Sequence, residues 1–301
     1  MKVLQESIMV PENYKYAINE LPEMKSAIHD WYKNRYNVEL TYDEMICLQG
    51  SQEALSTLFL AMCDPGDIVL VPDPYYPIFS DGPKIAGAKV EYMPLLQENN
   101  YVIQLDQIDE EIAKKAKMMI VSYPNNPTCA IAPDSFYEEL IQFAKKYDIV
   151  VLHDNAYSEL VFDGKVGKSF LSFEGAKEIG IELNSFSKTY GMAGARLGVC
   201  VGNKEVIDCY NTLKSNMDYG IFLPIQYAGI EALRHGGASI HSTCQAYQDR
   251  RDALCEAFDE VGWHIDKSPA TMFAWARIPD QYEDSYAFTK DLMEKTGVVV
   301  T

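Results

Sequence analysis

No stretch of the 301 residues approaches the ~18 consecutive apolar positions of a membrane-spanning helix. The start carries no basic run leading into an apolar core, and no repeat or low-complexity tract is present. A soluble, unexported chain is expected. Positive charge is scarce, with 26 Lys and Arg against 44 Asp and Glu and a formal net charge of −18. That balance disfavours phosphate backbones and anionic lipid, so neither nucleic acid nor membrane is expected as a partner. The seven cysteines are odd in number and include no CxxC pair, and the five histidines lack HExxH or any other ligand spacing. A disulfide framework and a structural metal site are therefore not expected, whereas a reducing, cytoplasmic location is.

What the chain does have is apolar content, 48% of its residues, enough for one or two buried cores. Short runs rich in β-branched residues recur at 68–71, 118–122, 149–152, 181–183 and 199–201, each suited to a strand buried on both faces. Between them lie helical stripes, at 51–62 (Ala54, Leu55, Leu58, Phe59, Met62) and at 135–147 (Phe136, Leu140, Ile141, Ala144). The alternation predicts an α/β fold with a mostly parallel sheet sandwiched by helices. We expect a large domain over 1–237 with a short amino-terminal segment, a linking helix over 238–261, and the start of a small α+β domain over 262–301. Within that last part, 263–265 and 272–278 are expected as strands and 285–295 as a helix. The chain ends in an apolar run, 298–301, that reads as an uncovered strand, so sequence is expected to be missing there.

In open α/β sheets ligands sit beyond the carboxyl ends of strands. Asn126 comes after the first of three such ends, in Tyr123-Pro124-Asn125-Asn126-Pro127-Thr128. Asp154 and Tyr157 come after the second, in His153-Asp154-Asn155-Ala156-Tyr157, and Lys188 after the third, in Ser185-Phe186-Ser187-Lys188. Nearby, Gly50-Ser51-Gln52 opens a helix whose first N–H groups suit an oxyanion. An amide, a carboxylate, a phenol, an amine and an anion seat on one edge match pyridoxal 5′-phosphate, which needs a lysine, an acid for its ring nitrogen and a phosphate cup.

Taken with Thr189 to Gly198 and with the Asn-Asn-Pro and Asp-Asn-Ala-Tyr motifs, these residues resemble the class I/II aminotransferases of fold type I over about 14–277. The stretches 13–28 and 122–133 most resemble the LL-diaminopimelate aminotransferase group. The resemblance implies that Lys188 bonds the cofactor and later moves the proton between the substrate Cα and the cofactor C4′. A free lysine, with a pKa of ~10.4, needs positive neighbours or burial for that work, and Arg196 is at hand. It further implies that Asp154 keeps the ring nitrogen protonated, and that Asn126 and Tyr157 reach the ring 3′ oxygen. Ser51, Gln52, Ser185 and Arg196 would hold the phosphate, Tyr76 would stack on the ring, and Tyr16, with Tyr14 as the alternative, would cross a homodimer interface to the partner's phosphate. An amino acid and a 2-oxo acid are the implied substrates. The family's amino-terminal arm and the arginine that grips the substrate carboxylate have no match here, so the chain is expected to be truncated at both ends.

Each residue also has a plainer reading. Lys188 is one of 26 basic residues, Asp154 could cap a helix, Asn126 could be a turn residue, and Gly50-Ser51 could merely begin a helix. His153 should point to the opposite face of its strand from Asp154 and pack there. Their coincidence in order along the chain favours the joint reading. A C–S β-lyase on the same cofactor, an effector-sensing domain of this shape and an inactive fragment are the competing functions.

Overall fold

The structure is a computed structural model and describes residues 1–300. Its centre is one sheet of seven strands: β1 (Met45–Leu48), β2 (Ile68–Asp73), β3 (Lys89–Pro94), β4 (Ala116–Ser122), β5 (Val150–Asp154), β6 (Gly180–Ser185) and β7 (Gly198–Gly202). Their spatial order is β1-β7-β6-β5-β4-β2-β3. Pairings from β3 through β6 are parallel, and β7 alone runs the other way, between β6 and β1. The central strands are buried on both sides because both sides are covered. Val151 joins the core that includes Phe136 and Leu140, and Leu152 joins the core that includes Leu55 and Phe59.

The covering helices are α1 (Pro22–Tyr36), α2 (Ser51–Met62), α3 (Asp134–Tyr147), α4 (Lys204–Met217) and α5 (Leu223–His235). The buried stripes of α1, α3 and α5 supply one core, and those of α2 and α4 the other. Local chemistry sets the helix ends. Pro22 opens α1, and Asn37 closes it in the left-handed conformation at φ 56°. The Asn203 side chain caps α4 by accepting from the N–H groups of Glu205 and Val206, a contact worth about 1 kcal/mol.

Beyond α5 the chain forms a 24-residue helix, α6 (Gly237–Glu260), and later α7 (Ser285–Thr296). The strands expected at 263–265, 272–278 and 298–300 are not strands; residue 301 lies outside the described residues. A strand is defined by its ladder, and β-branched composition creates none without a paired neighbour. The stretch 269–271 does make a single antiparallel bridge, Val161 to Ala270, flanked by Phe162 N–H to Pro269 O and Thr271 N–H to Leu160 O. Among the described residues no helix is long and apolar enough to cross a membrane.

Candidate active site

Strand register assembles the site. β4, β5 and β6 are adjacent and parallel, with Ser122 opposite Asp154 and Asp154 opposite Leu183, so their carboxyl ends lie level. Asn126 lies just past β4, Asp154 ends β5, and Lys188 sits one turn beyond the end of β6. Because β7 is reversed, its first residue, Gly198, lies opposite both Ser185 and Leu48. That brings Arg196, just before β7, and Gly50, just after β1, to the same edge.

Two glycines permit the convergence. Gly50 has φ +77°, and a Cβ there would come within 2.3 Å of Arg196 Nη2. A Cβ on Gly198 would lie 2.7 Å from the Ser51 backbone nitrogen, which is one of the N–H groups at the start of α2.

Ser51, Gln52, Tyr76, Asn126, Asp154, Tyr157, Ser185, Lys188 and Arg196 all face one cavity of about 550 Å³. Clefts of about 1060 and 1180 Å³ elsewhere gather none of them, so composition and not volume marks the site. Tyr16 is apart from the cavity, on the surface, with its ring edge-on to Tyr219 at 5.1 Å. The cavity wall also holds Tyr75, Ser187, Ala193 and Phe273, none of which the motifs singled out for the site. Ser187 was legible beside Lys188, whereas Phe273 arrives from a distant part of the chain with no motif to announce it.

Asp154 is the electrostatic centre. It is buried, and its Oδ1 has no hydrogen-bond partner. Burial pushes its carboxyl up to about 6, against the opposing pull of His153, the Ala156 N–H and Lys188. An orphaned buried acceptor of this kind calls for a donor from a ligand. Burial, then the nearby Asp154 charge, raises the Tyr157 phenol, with the Asn126 amide pulling the other way. The phenol therefore keeps its proton at neutral pH and can donate it. The Lys188 Nζ lies 5.9 Å from the centre of the Tyr157 ring.

Several polar groups gather at the first turn of α2. Tyr76 donates to Gln52 Oε1 at 2.8 Å. Arg196, at φ 51°, donates to Ala193 O at 2.9 Å and to Gln49 O at 3.4 Å, which aims its guanidinium along this turn. Ser185 Oγ accepts from Ser187 N–H at 3.2 Å, leaving its own proton to donate.

On the other face of the sheet, where β5 alternation sends it, His153 Nδ1 lies 3.1 Å from Glu182 Oε2. Glu182 is buried too, and it accepts from Tyr32 Oη at 3.0 Å, Ser169 Oγ at 3.0 Å and Phe170 N–H at 2.8 Å. A further contact links the Asn126 turn to the carboxyl-terminal stretch. The Cys129 thiol donates to Phe273 O at 3.4 Å, and Thr271 Oγ1 donates to Cys129 Sγ at 3.1 Å. Among the described residues no group of three or more His, Cys, Asp or Glu is placed to hold a metal ion.

An amine, a carboxylate with an open acceptor, a phenol and an amide, and a helix start beside a guanidinium are a donor set that fits pyridoxal 5′-phosphate. Comparison with known proteins agrees. Residues 3–301 match the family described as aminotransferase class I and II. The LL-diaminopimelate aminotransferase of Halothermothrix orenii is 46% identical over 298 residues, covering 98% of this chain and 76% of that one. The enzyme of the same name from Moorella thermoacetica is 43% identical, over 97% and 75% of the two chains. Substrate-bound BacF from Bacillus subtilis superposes with a TM-score of 0.96 at 38% identity, covering 100% of this chain and 77% of that one. With the sheet, the cavity and these likenesses in agreement, the chain belongs to the class I and II aminotransferases, fold type I enzymes that use pyridoxal 5′-phosphate to transfer amino groups between amino acids and 2-oxo acids.

Proposed function

We propose that the amino donor is LL-diaminopimelate and the acceptor 2-oxoglutarate. The names of the relatives at 39–46% identity support this reading of the substrate. A panel of amino donors with 2-oxoglutarate tests it; equal turnover of aspartate or aromatic donors, with none of diaminopimelate, overturns it.

For the residues, the observation that carries the reading is the meeting of Lys188 with the unpartnered Asp154 Oδ1 in the cavity that α2 and Arg196 close at one end. When bound, pyridoxal 5′-phosphate supplies an electron sink for the charge left when the donor's Cα loses its proton. Lys188 Nζ would take that proton from Cα and deliver it to the cofactor C4′. Asp154 holds a positive charge at the ring nitrogen, the service its orphaned oxygen is free to perform. Tyr157, kept protonated, and Asn126 hold the ring 3′ oxygen. The Ser51 and Gln52 N–H groups, the Ser185 hydroxyl and Arg196 hold the phosphate by charge-assisted hydrogen bonds, while Tyr76 covers the ring.

Borohydride reduction of the loaded protein and subsequent peptide mapping test the assignment of Lys188. A pyridoxyl group on Lys188 is the expected product, and modification of a different lysine overturns the assignment.

The assembly we propose is a homodimer in the cytoplasm, with residues 1–237 as the large domain, 238–261 as a linking helix and 262–301 as part of a small domain. Exposed Tyr14, Tyr16, Ile18, Tyr219 and Phe222 form an aromatic-rich surface suited to a second copy. Tyr16 is the residue we assign to the partner's phosphate.

A further inference from the structure

Three charged side chains are packed behind the turn that begins α2. Lys214 of α4 is buried, with its Nζ 2.7 Å from Glu53 Oε1 and 2.6 Å from Asp218 Oδ2. Glu53 lies in the first turn of α2, two residues after Ser51, and its other oxygen accepts the Gln49 N–H at 2.5 Å. The Gln49 carbonyl is the one that receives Arg196, and its side-chain amide reaches Asp218 at 3.4 Å. Lys214 and Asp218 do not face the active-site cavity; they line a separate one of about 440 Å³, shared with Ala17 and Ile18.

An acid three residues into a helix, reaching back to an N–H ahead of it, is ordinarily favourable, because it satisfies an orphaned donor and complements the helix dipole. Here the same first turn must also receive a phosphate dianion, which a neighbouring carboxylate repels. Glu53 thus has one useful role, holding the backbone at Gln49 and Gly50, and one harmful charge. An ammonium with only 5% of its side chain exposed, set between that carboxylate and Asp218, offsets part of their charge and keeps the hydrogen bond.

We propose that Lys214 is a positioning residue for the cofactor phosphate: acting through Glu53, it offsets the charge of the carboxylate beneath the anion seat and fixes the turn that presents the N–H groups of α2. This rests on reading the start of α2 as the phosphate seat.

The test compares equilibrium binding of pyridoxal 5′-phosphate with that of pyridoxal, which offers the same aldehyde to Lys188 but no phosphate. The intact protein should prefer the phosphorylated form strongly. Lys214→Met should weaken pyridoxal 5′-phosphate about tenfold or more while changing pyridoxal by less than about twofold. Adding Glu53→Gln to Lys214→Met should return most of the loss. Glu53→Gln alone, which keeps an oxygen for the Gln49 N–H, should bind the phosphorylated form as tightly as the intact protein or more so, and this variant decides the matter if Lys214→Met does not fold.

Equal weakening of both ligands, no recovery in the double variant, or a phosphate-specific loss in Glu53→Gln alone overturns the role of Lys214. No preference for the phosphorylated form in the intact protein instead overturns the phosphate seat itself, and the inference with it.

Discussion

Glu182 and Asp154 are buried acids on neighbouring strands, facing opposite sides of the same sheet. Glu182 sits beside His153 in the β5–β6 register, and four different groups direct donors at it. Asp154, one position further along, keeps an oxygen with no partner at all and has its carboxyl raised by burial. The difference separates architecture from function. A carboxylate surrounded by its own protein's donors joins elements of the fold, here α1, β5, β6 and the turn at Ser169. A carboxylate left unsatisfied at a strand end costs stability, and is explained by what it does to a ligand.

The sharpest way to break the comparison is to make each acid neutral. Asp154→Asn should leave the fold intact and slow single-turnover proton transfer by about a thousandfold, roughly 4 kcal/mol of barrier, because it deletes the charge we assign to the ring nitrogen. An unchanged rate, measured by rapid-mixing spectroscopy, would make Asp154 structural.

Glu182→Ala should do the reverse. Stranding the donors of Tyr32, His153 and Ser169 should cost about 3 kcal/mol in urea unfolding, with a much smaller loss of rate per folded molecule. A variant as stable as the parent would deny Glu182 its role as a joint.

A somewhat smaller effect is the pH dependence of the cofactor-free protein. With the Asp154 carboxyl near 6 when folded and 3.8 as its ordinary value, the native state binds more protons than the unfolded one between those limits. Stability contributed by the protonated acid is present at low pH and is lost as pH rises through about 6. Cofactor-free Asp154→Asn should therefore gain about 2 kcal/mol on the parent between pH 4 and pH 7. Parallel curves of unfolding midpoint against pH would contradict it.

Smallest of all, Tyr157→Phe keeps the ring but removes the phenol, and should cost about 1 kcal/mol in the rate. A loss as large as that of Asp154→Asn would mean that the phenol itself moves a proton.

The edge of the sheet that carries the candidate site was the more legible in sequence. β4 and β5 hold short apolar runs and β6 the apolar residues Ile181 and Leu183 around buried Glu182, all covered on both faces, and ligands bind just past the carboxyl ends of such strands, so Asn126, Asp154 and Lys188 could be placed together from pattern alone. β3 escaped notice because it is an edge strand with Lys89, Glu91 and Tyr92 exposed, and β1 because, although buried, its four residues Met45-Ile46-Cys47-Leu48 include only one that is β-branched. The strands expected in the carboxyl-terminal part failed for the opposite reason: composition was right and pairing absent. Lys214 and Glu53 meet across 161 residues with no shared motif. The contribution of Phe273 likewise depends on a chain path that local pattern does not encode.

That path has a mechanical consequence. The stretch 269–273 is fastened twice: through Pro269 and Thr271 to the backbone just after Tyr157, and through Thr271 and Phe273 to Cys129 in the turn that carries Asn126. Phe273 also touches the Tyr157 ring edge-on, with ring centres 5.6 Å apart. The side chain that walls the cavity and the amide and phenol that face it therefore share one set of fastenings, so the width of the cavity at Phe273 and the placement of those two polar groups are set together.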